Sequence, residues 1–179
     1  LIYTSKNDLT LRELTISRAV AALPVAGRYR IIDFLLSSMV NTGIRNVGVI
    51  MQRNYHSLMD HIGSGMEWDL HTRNDGLFIL PPFLTRENVG AYNGLLDALR
   101  SNMGYLRHSK QEYVIMTNSH TAFNTTFDDM ILSHEESNAD ITLMYTKVKP
   151  GEVEDTTTLT PRHVFLDVDP SGLIRELEV

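Results

Sequence analysis

The chain has 179 residues, 42% of them hydrophobic, enough for one domain with a buried core. A formal charge of −6 argues against nucleic acid or an anionic membrane as the main partner. With no cysteine there is no disulfide framework, thiolate metal site or thiol nucleophile, and no apolar run approaches the roughly 20 residues that span a bilayer.

Leu1-Ile2-Tyr3 reads as the end of a first strand, and Thr4 to Thr15 as polar and irregular. The organising stretch follows, from Leu23 to Gly43. Pro24 and Gly27 make a bend, and Arg28 and Arg30 come directly after it. Ile32, Leu35, Leu36, Met39 and Val40 then form the stripe of a helix packed on one face. Asn41-Thr42-Gly43 stops that helix, because glycine tolerates the left-handed position after the last turn. Val47 to Met51 is a buried-type strand, His56 to Ile62 a short helix closed by Gly63, and Met66 to Leu70 a loop with the single tryptophan, Trp68.

Leu77 to Leu80 is a strand ended by Pro81-Pro82. A helix is expected from about Asn93 to Arg107, with Leu95, Leu96, Leu99, Met103 and Leu106 on one side. Tyr113 to Met116 is the next strand. Asp128 and Asp129 open a further helix, where they complement its dipole, and Phe127, Met130, Ile131 and His134 face inward. Asp140 to Tyr145 is another expected strand, Lys147 to Thr160 a surface loop, and Val164 to Glu178 a hairpin turning at Asp169-Pro170-Ser171-Gly172. Both ends fall in strand-like runs, so the chain reads as a piece of a longer protein.

Strands alternating with helices predict an α/β sandwich of three layers around a mostly parallel sheet. The expectation is a single, incomplete domain over 1–179, with no internal repeat. Ligands of such sheets sit at the carboxyl ends of the strands.

Leu14-Thr15, Arg18-Ala19, Ala22-Leu23-Pro24, Gly27 to Phe34 and Asn41 to Ile44 form a pattern that continues through His56-Ser57-Leu58 and Ile79-Leu80-Pro81. Tyr92 with Gly94, Asp97-Ala98 and Ala139-Asp140 extend it. It resembles the sugar-nucleotide pyrophosphorylases, specifically glucose-1-phosphate adenylyltransferase, also called ADP-glucose pyrophosphorylase. The resemblance implies a Rossmann-like, GT-A-like nucleotidyltransferase domain, here without the C-terminal left-handed β-helix of the family.

The departures from the family pattern matter most. Active members carry a Gly-Gly-Gly-x-Gly-Thr-Arg loop, whose backbone N–H groups approach phosphates and whose arginine neutralises charge. Here Thr4 to Thr10 contains no glycine, Thr10 stands in the place of the arginine, and Val20 replaces a lysine. The Mg²⁺-holding aspartate of the family's Gly-Asp-His is Ser119 in Asn118-Ser119-His120, and serine is no substitute for a hard anionic ligand. Phosphoryl-group transfer depends on positioning and charge neutralisation, so losing the loop, its arginine and the metal carboxylate together implies a subunit that does not catalyse. The chain is therefore similar to the non-catalytic companion subunits of bacterial members. This implies a hetero-oligomer with a catalytic ADP-glucose pyrophosphorylase subunit, in cytoplasmic glycogen biosynthesis, with no cofactor held by this chain.

Two alternatives stay open at this point. One is a working nucleotidyltransferase that makes ADP-glucose and pyrophosphate from ATP and glucose 1-phosphate with Mg²⁺. The other is an effector-binding module for a sugar phosphate or a nucleotide. Arg28 and Arg30 suit an anion or effector site, against the plainer reading of a loop that braces the central helix. Gly94 and Asp97 match the family's base-pocket segment, or serve packing alone. Asp167, Asp169, Ser171, Gly172 and Glu178 fit a calcium-loop spacing, but their flanks read as strands where that motif needs helices. His56 and His61 are five apart and do not share a helix face, which speaks against zinc. Glu67-Trp68-Asp69 reads as an interface anchor or as a half-buried lid.

Overall fold

The computed structural model describes residues 1–4, 9–72, 75–82, 92–120, 122–147 and 164–178. It divides into two units, Leu1–Met144 and Tyr145–Val179. In the first unit the chain runs through β1 (Ile2–Tyr3), β2 (Pro24–Val25), β3 (Tyr29–Arg30) and α1 (Ile31–Asn41). It continues through β4 (Asn46–Ile50), α2 (His56–Ile62), β5 (Gly76–Leu80), α3 (Leu95–Ser101), α4 (Met103–His108), β6 (Thr117–Asn118) and α5 (Asp128–Ser137). Four strands form one parallel sheet in the order β5-β4-β1-β6. The other pair, β2 and β3, is a small antiparallel hairpin.

Helix α1 forms as its apolar spacing predicts. Ile32, Leu35, Leu36 and Met39 are buried against the sheet with Ile2, Val47 and Val49. Asp33 in the first turn accepts the Arg30 backbone N–H at 2.9 Å, which satisfies one of the unpaired donors of the helix start. Gly43, at φ 82°, ends the helix in the left-handed conformation that a side chain would oppose. On the opposite face of the sheet, Ile50 packs with Tyr92 and Ala98, and Tyr3, Leu80 and Leu99 lie against them. Two apolar layers enclose the sheet, which is the predicted three-layer arrangement.

Three expectations need correction. The helix over Asn93–Arg107 is two helices, broken at Asn102. The buried Asn102 amide donates to the Ala98 carbonyl and to the Tyr92 hydroxyl, at 2.8 and 3.2 Å, and such local side-chain bonding competes with the helical ladder. Ala98 is the residue that this segment buries, whereas Leu95 and Leu96 point to solvent, Leu96 at 81% exposure. The strand expected over Tyr113–Met116 pairs only at Thr117–Asn118, because β1 offers a two-residue partner. The strand expected over Asp140–Tyr145 is irregular. It has no ladder partner among the described residues, the Thr142 hydroxyl meets His134 Nδ1 of α5 at 2.8 Å, and Ile141 is 79% exposed.

The second unit contains the expected hairpin, β7 (Phe165–Val168) against β8 (Ile174–Glu178). Asp169 organises its turn. One carboxylate oxygen accepts the Ser171 N–H, the Ser171 hydroxyl and the Leu173 N–H, and the other accepts the Arg175 guanidinium at 2.7 Å. The carboxylate of the calcium-like spacing is thus already engaged by donors of its own turn. Of the loop expected over Lys147–Thr160, residues 148–160 lie outside the described residues.

Candidate functional site at the carboxyl end of the sheet

Strands β4, β1 and β6 all run in one direction, so their carboxyl ends form a common edge. The backbone register continues one step past each strand. The Thr4 N–H donates to the Ile50 carbonyl at 3.0 Å, Ser119 N–H to Tyr3 at 3.2 Å, and Met51 N–H to Leu80 at 2.8 Å. This carries three polar side chains into the interior: Thr4, Gln52 and Ser119 are 0%, 0% and 1% exposed. Alternation along the strands puts Thr4 and Ser119 on the α1 side, and Gln52 with Tyr3 on the α3 side.

None of the three side chains carries a charge. The Thr4 hydroxyl donates to the Ile50 carbonyl at 2.8 Å, and the Gln52 amide nitrogen donates to the Tyr3 hydroxyl at 2.9 Å. Among the described residues, the Gln52 Oε1 and the Ser119 Oγ have no hydrogen-bond partner. Burial pushes the Tyr3 hydroxyl above its ordinary pKa, and the charge of Asp97 adds to this, while the Gln52 hydrogen bond acts in the opposite sense. Asp97 itself accepts the Asn93 N–H at 3.0 Å. Gly94 precedes α3 with an extended backbone and open space where a side chain would project.

The sequence-derived candidates therefore separate. Gly94 and Asp97 share the α3 side with Gln52 and Tyr3. Ser119 sits at the end of β6, with a buried hydroxyl where a metal site needs a carboxylate. Val20 is buried in a tight turn, Val20–Ala22, as a core residue. Residues 5–8 of the altered phosphate loop lie outside the described residues, and the Thr10 backbone belongs to the turns of Leu9–Thr15.

The two arginines do not act as a pair. Arg28 is exposed between β2 and β3. The Arg30 guanidinium crosses to α2, where it donates to the Ser57 carbonyl and, at 2.8 Å, to the Ser57 hydroxyl. Beside it His61 Nε2 meets Asp33 Oδ1 at 2.6 Å, and Trp68 lies edge-on to the His61 ring. The bracing reading suits Arg30. Trp68 is half-buried against the core.

Mg²⁺, which an active member would use, does not fit these residues. It asks for anionic oxygen ligands, and Ser119, Thr4 and Gln52 supply none. Among the described residues, no group of three His, Cys, Asp or Glu side chains could hold a metal ion. Also among them, no helix is long and apolar enough to cross a membrane. Sequence reading missed Tyr3, Thr4 and Gln52. Their position directly after predicted parallel strands was the available signal.

The family model described as nucleotidyl transferase matches residues 10–154. The chain belongs to the nucleotidyl transferase family. The parallel sheet with helices on both faces is the Rossmann-like fold expected of a nucleotidyl transferase domain. The chain is 42% identical over 139 residues to the glycogen biosynthesis protein GlgD of Bacillus subtilis (strain 168), covering 76% of this chain and 39% of that protein. It is also 42% identical over 136 residues to GlgD of Geobacillus stearothermophilus, covering 74% and 38%. The chain thus spans about two fifths of the length of these curated relatives. Both relatives agree with the resemblance read from the motifs, and both names place those proteins in glycogen biosynthesis.

Proposed function

We propose that this nucleotidyl transferase chain is part of a non-catalytic regulatory subunit of glucose-1-phosphate adenylyltransferase. It activates or tunes a catalytic partner subunit in bacterial glycogen biosynthesis, in the cytoplasm. One observation supports this above the others: Thr4, Gln52 and Ser119, at the ends of β1, β4 and β6, are buried and uncharged, with the Ser119 hydroxyl where the family resemblance sets a metal carboxylate. Attack on a nucleoside triphosphate builds negative charge, and transferring enzymes offset it with a cation and fixed positive groups. These three side chains supply neither. A role in holding or tuning a partner needs only the folded scaffold, and the closed corner between α1 and α2 keeps that scaffold rigid.

The test uses the full-length protein with and without a catalytic pyrophosphorylase subunit from the same cell. ADP-glucose formation is assayed with Mg²⁺, ATP and glucose 1-phosphate. The expected result is no turnover by the protein alone and a gain in the mixture. Substantial turnover alone would overturn the proposal.

A further inference from the structure

An asparagine followed by glycine is chemically labile. The backbone nitrogen of the second residue can attack the side-chain amide carbon of the first, and glycine leaves that approach open because it has no Cβ. Asn93-Gly94 is the one such pair in the chain. Asn93 is exposed, and among the described residues its side chain makes no hydrogen bond. Gly94 has an extended backbone, φ 174° and ψ −174°, and nothing lies within 4 Å of where a Cβ would stand. Its N–H also has no partner among the described residues. The flanking backbone, in contrast, is anchored. The Asn93 N–H donates to Asp97 at 3.0 Å, the Gly94 carbonyl accepts the Ala98 N–H at 3.1 Å, and Tyr92 is fully buried. Asn118-Ser119, which also sets a small residue after asparagine, is held where Asn93 is not. Its Asn118 Oδ1 accepts the His120 N–H at 3.1 Å, and the Ser119 N–H donates to the Tyr3 carbonyl at 3.2 Å within the sheet. Asn54 and Asn102 commit their amides to the carbonyls of Ile16 and Ala98.

We propose that Asn93 is a site of spontaneous covalent modification, deamidated in the folded protein to aspartate and isoaspartate. The Gly94 nitrogen gives up its proton and bonds to Asn93 Cγ. The bond from Cγ to Nδ2 breaks, and that nitrogen leaves as ammonia. Water then opens the cyclic imide at either of its carbonyls. One opening gives aspartate, which sets a new carboxylate beside Asp97. The other gives isoaspartate, which adds a carbon to the main chain between Tyr92 and α3 and shifts the Asn93 N–H against Asp97. The change runs one way and alters the start of α3. It involves no ligand and no turnover, so it stands apart from the regulatory reading.

The test incubates the full-length folded protein at mildly alkaline pH, where more of the attacking nitrogen is deprotonated, and follows it over time by peptide mapping with mass spectrometry. Asn93 is expected to convert several-fold faster than Asn118. Isoaspartate should form alongside aspartate and accept a methyl group from a protein isoaspartyl methyltransferase. In urea the sheet no longer holds the Ser119 N–H, so Asn118 should speed up and the gap should narrow. Gly94→Ala places a Cβ in open space on a backbone that alanine adopts, and should slow conversion at Asn93 several-fold. Absence of conversion at Asn93 in the folded protein overturns the inference. So does conversion no faster than at Asn118, a gap that urea leaves unchanged, or an unchanged rate in folded Gly94→Ala. If Gly94→Ala does not fold, the ratio of the two sites in the unaltered protein, folded against urea-unfolded, decides the matter. Turnover by the protein alone would strike the regulatory reading and leave this inference standing.

Discussion

Two polar regions of the first unit are built on opposite terms. At the corner between α1 and α2, the polar groups are matched. Asp33 meets the Arg30 N–H and His61, and Arg30 meets the carbonyl and the hydroxyl of Ser57. At the ends of β4 and β6, Gln52 and Ser119 each bury an atom with no hydrogen-bond partner among the described residues. Matched burial holds elements together, whereas unmatched burial weakens the fold and persists where another use offsets it. The contrast separates scaffold from site better than charge does, since the arginine that looked like a ligand group belongs to the scaffold.

Removing a matched acid should have the largest effect. Asp33→Ala strands the Arg30 N–H and His61 together and is expected to lower stability by about 3 kcal/mol, measured by denaturant unfolding. A loss below about 1 kcal/mol would mean that the corner is ornamental and would erase the contrast.

The unmatched side is tested by a pair of changes at one position. Ser119→Asp buries a carboxylate without a partner and should lower stability by about 2 kcal/mol, with no gain in ADP-glucose synthesis. Ser119→Ala removes a hydroxyl with no hydrogen-bond partner among the described residues and should leave stability within about 0.5 kcal/mol. Measurable turnover by Ser119→Asp alone would show that the carboxylate was the only part missing. A large loss in Ser119→Ala would show that the hydroxyl is matched after all.

Arg30→Met keeps the apolar stem and removes the tie to Ser57. The expected loss is about 1 kcal/mol, smaller than for Asp33 because Arg30 is less buried. Phosphate or a sugar phosphate protecting the unaltered protein but not this variant from unfolding would move Arg30 from brace to anion site.

The smallest effect is confined to the hairpin of the second unit. The Ser171 hydrogen bond foremost, with the Leu173 amide and the Arg175 side chain, holds the Asp169 carboxyl below its ordinary value of 3.8, while burial works against them. A lowered carboxyl pKa contributes stability that is present above the unfolded value and is lost as the pH falls through the folded one. The Ser171 and Leu173 amide signals in NMR should therefore titrate with a midpoint below 3.8. A midpoint at or above that value would show that the turn does not hold the ionised form.

Local pattern alone determined much of this protein. The stripe from Ile32 to Met39, the glycine stop at Gly43, the runs of β4 and β5, and the Asp169 turn are all legible because each depends on neighbours within a few residues. The motifs around Pro24 and Gly27 were enough to point to the family. Only the tertiary structure decided the rest. The break at Asn102 follows from a hydrogen bond to Tyr92, ten residues away. The segment Asp140–Tyr145 alternates like a strand but has no described partner, and a strand exists only in a pair. Arg30 is tied to α2 because Ser57 lies across from it, and the Gln52 amide is fixed by Tyr3, 49 positions earlier. Spacing along the chain encodes which face a residue takes, but the partner that satisfies a buried polar group comes from another strand, and sheet order alone brings the two together.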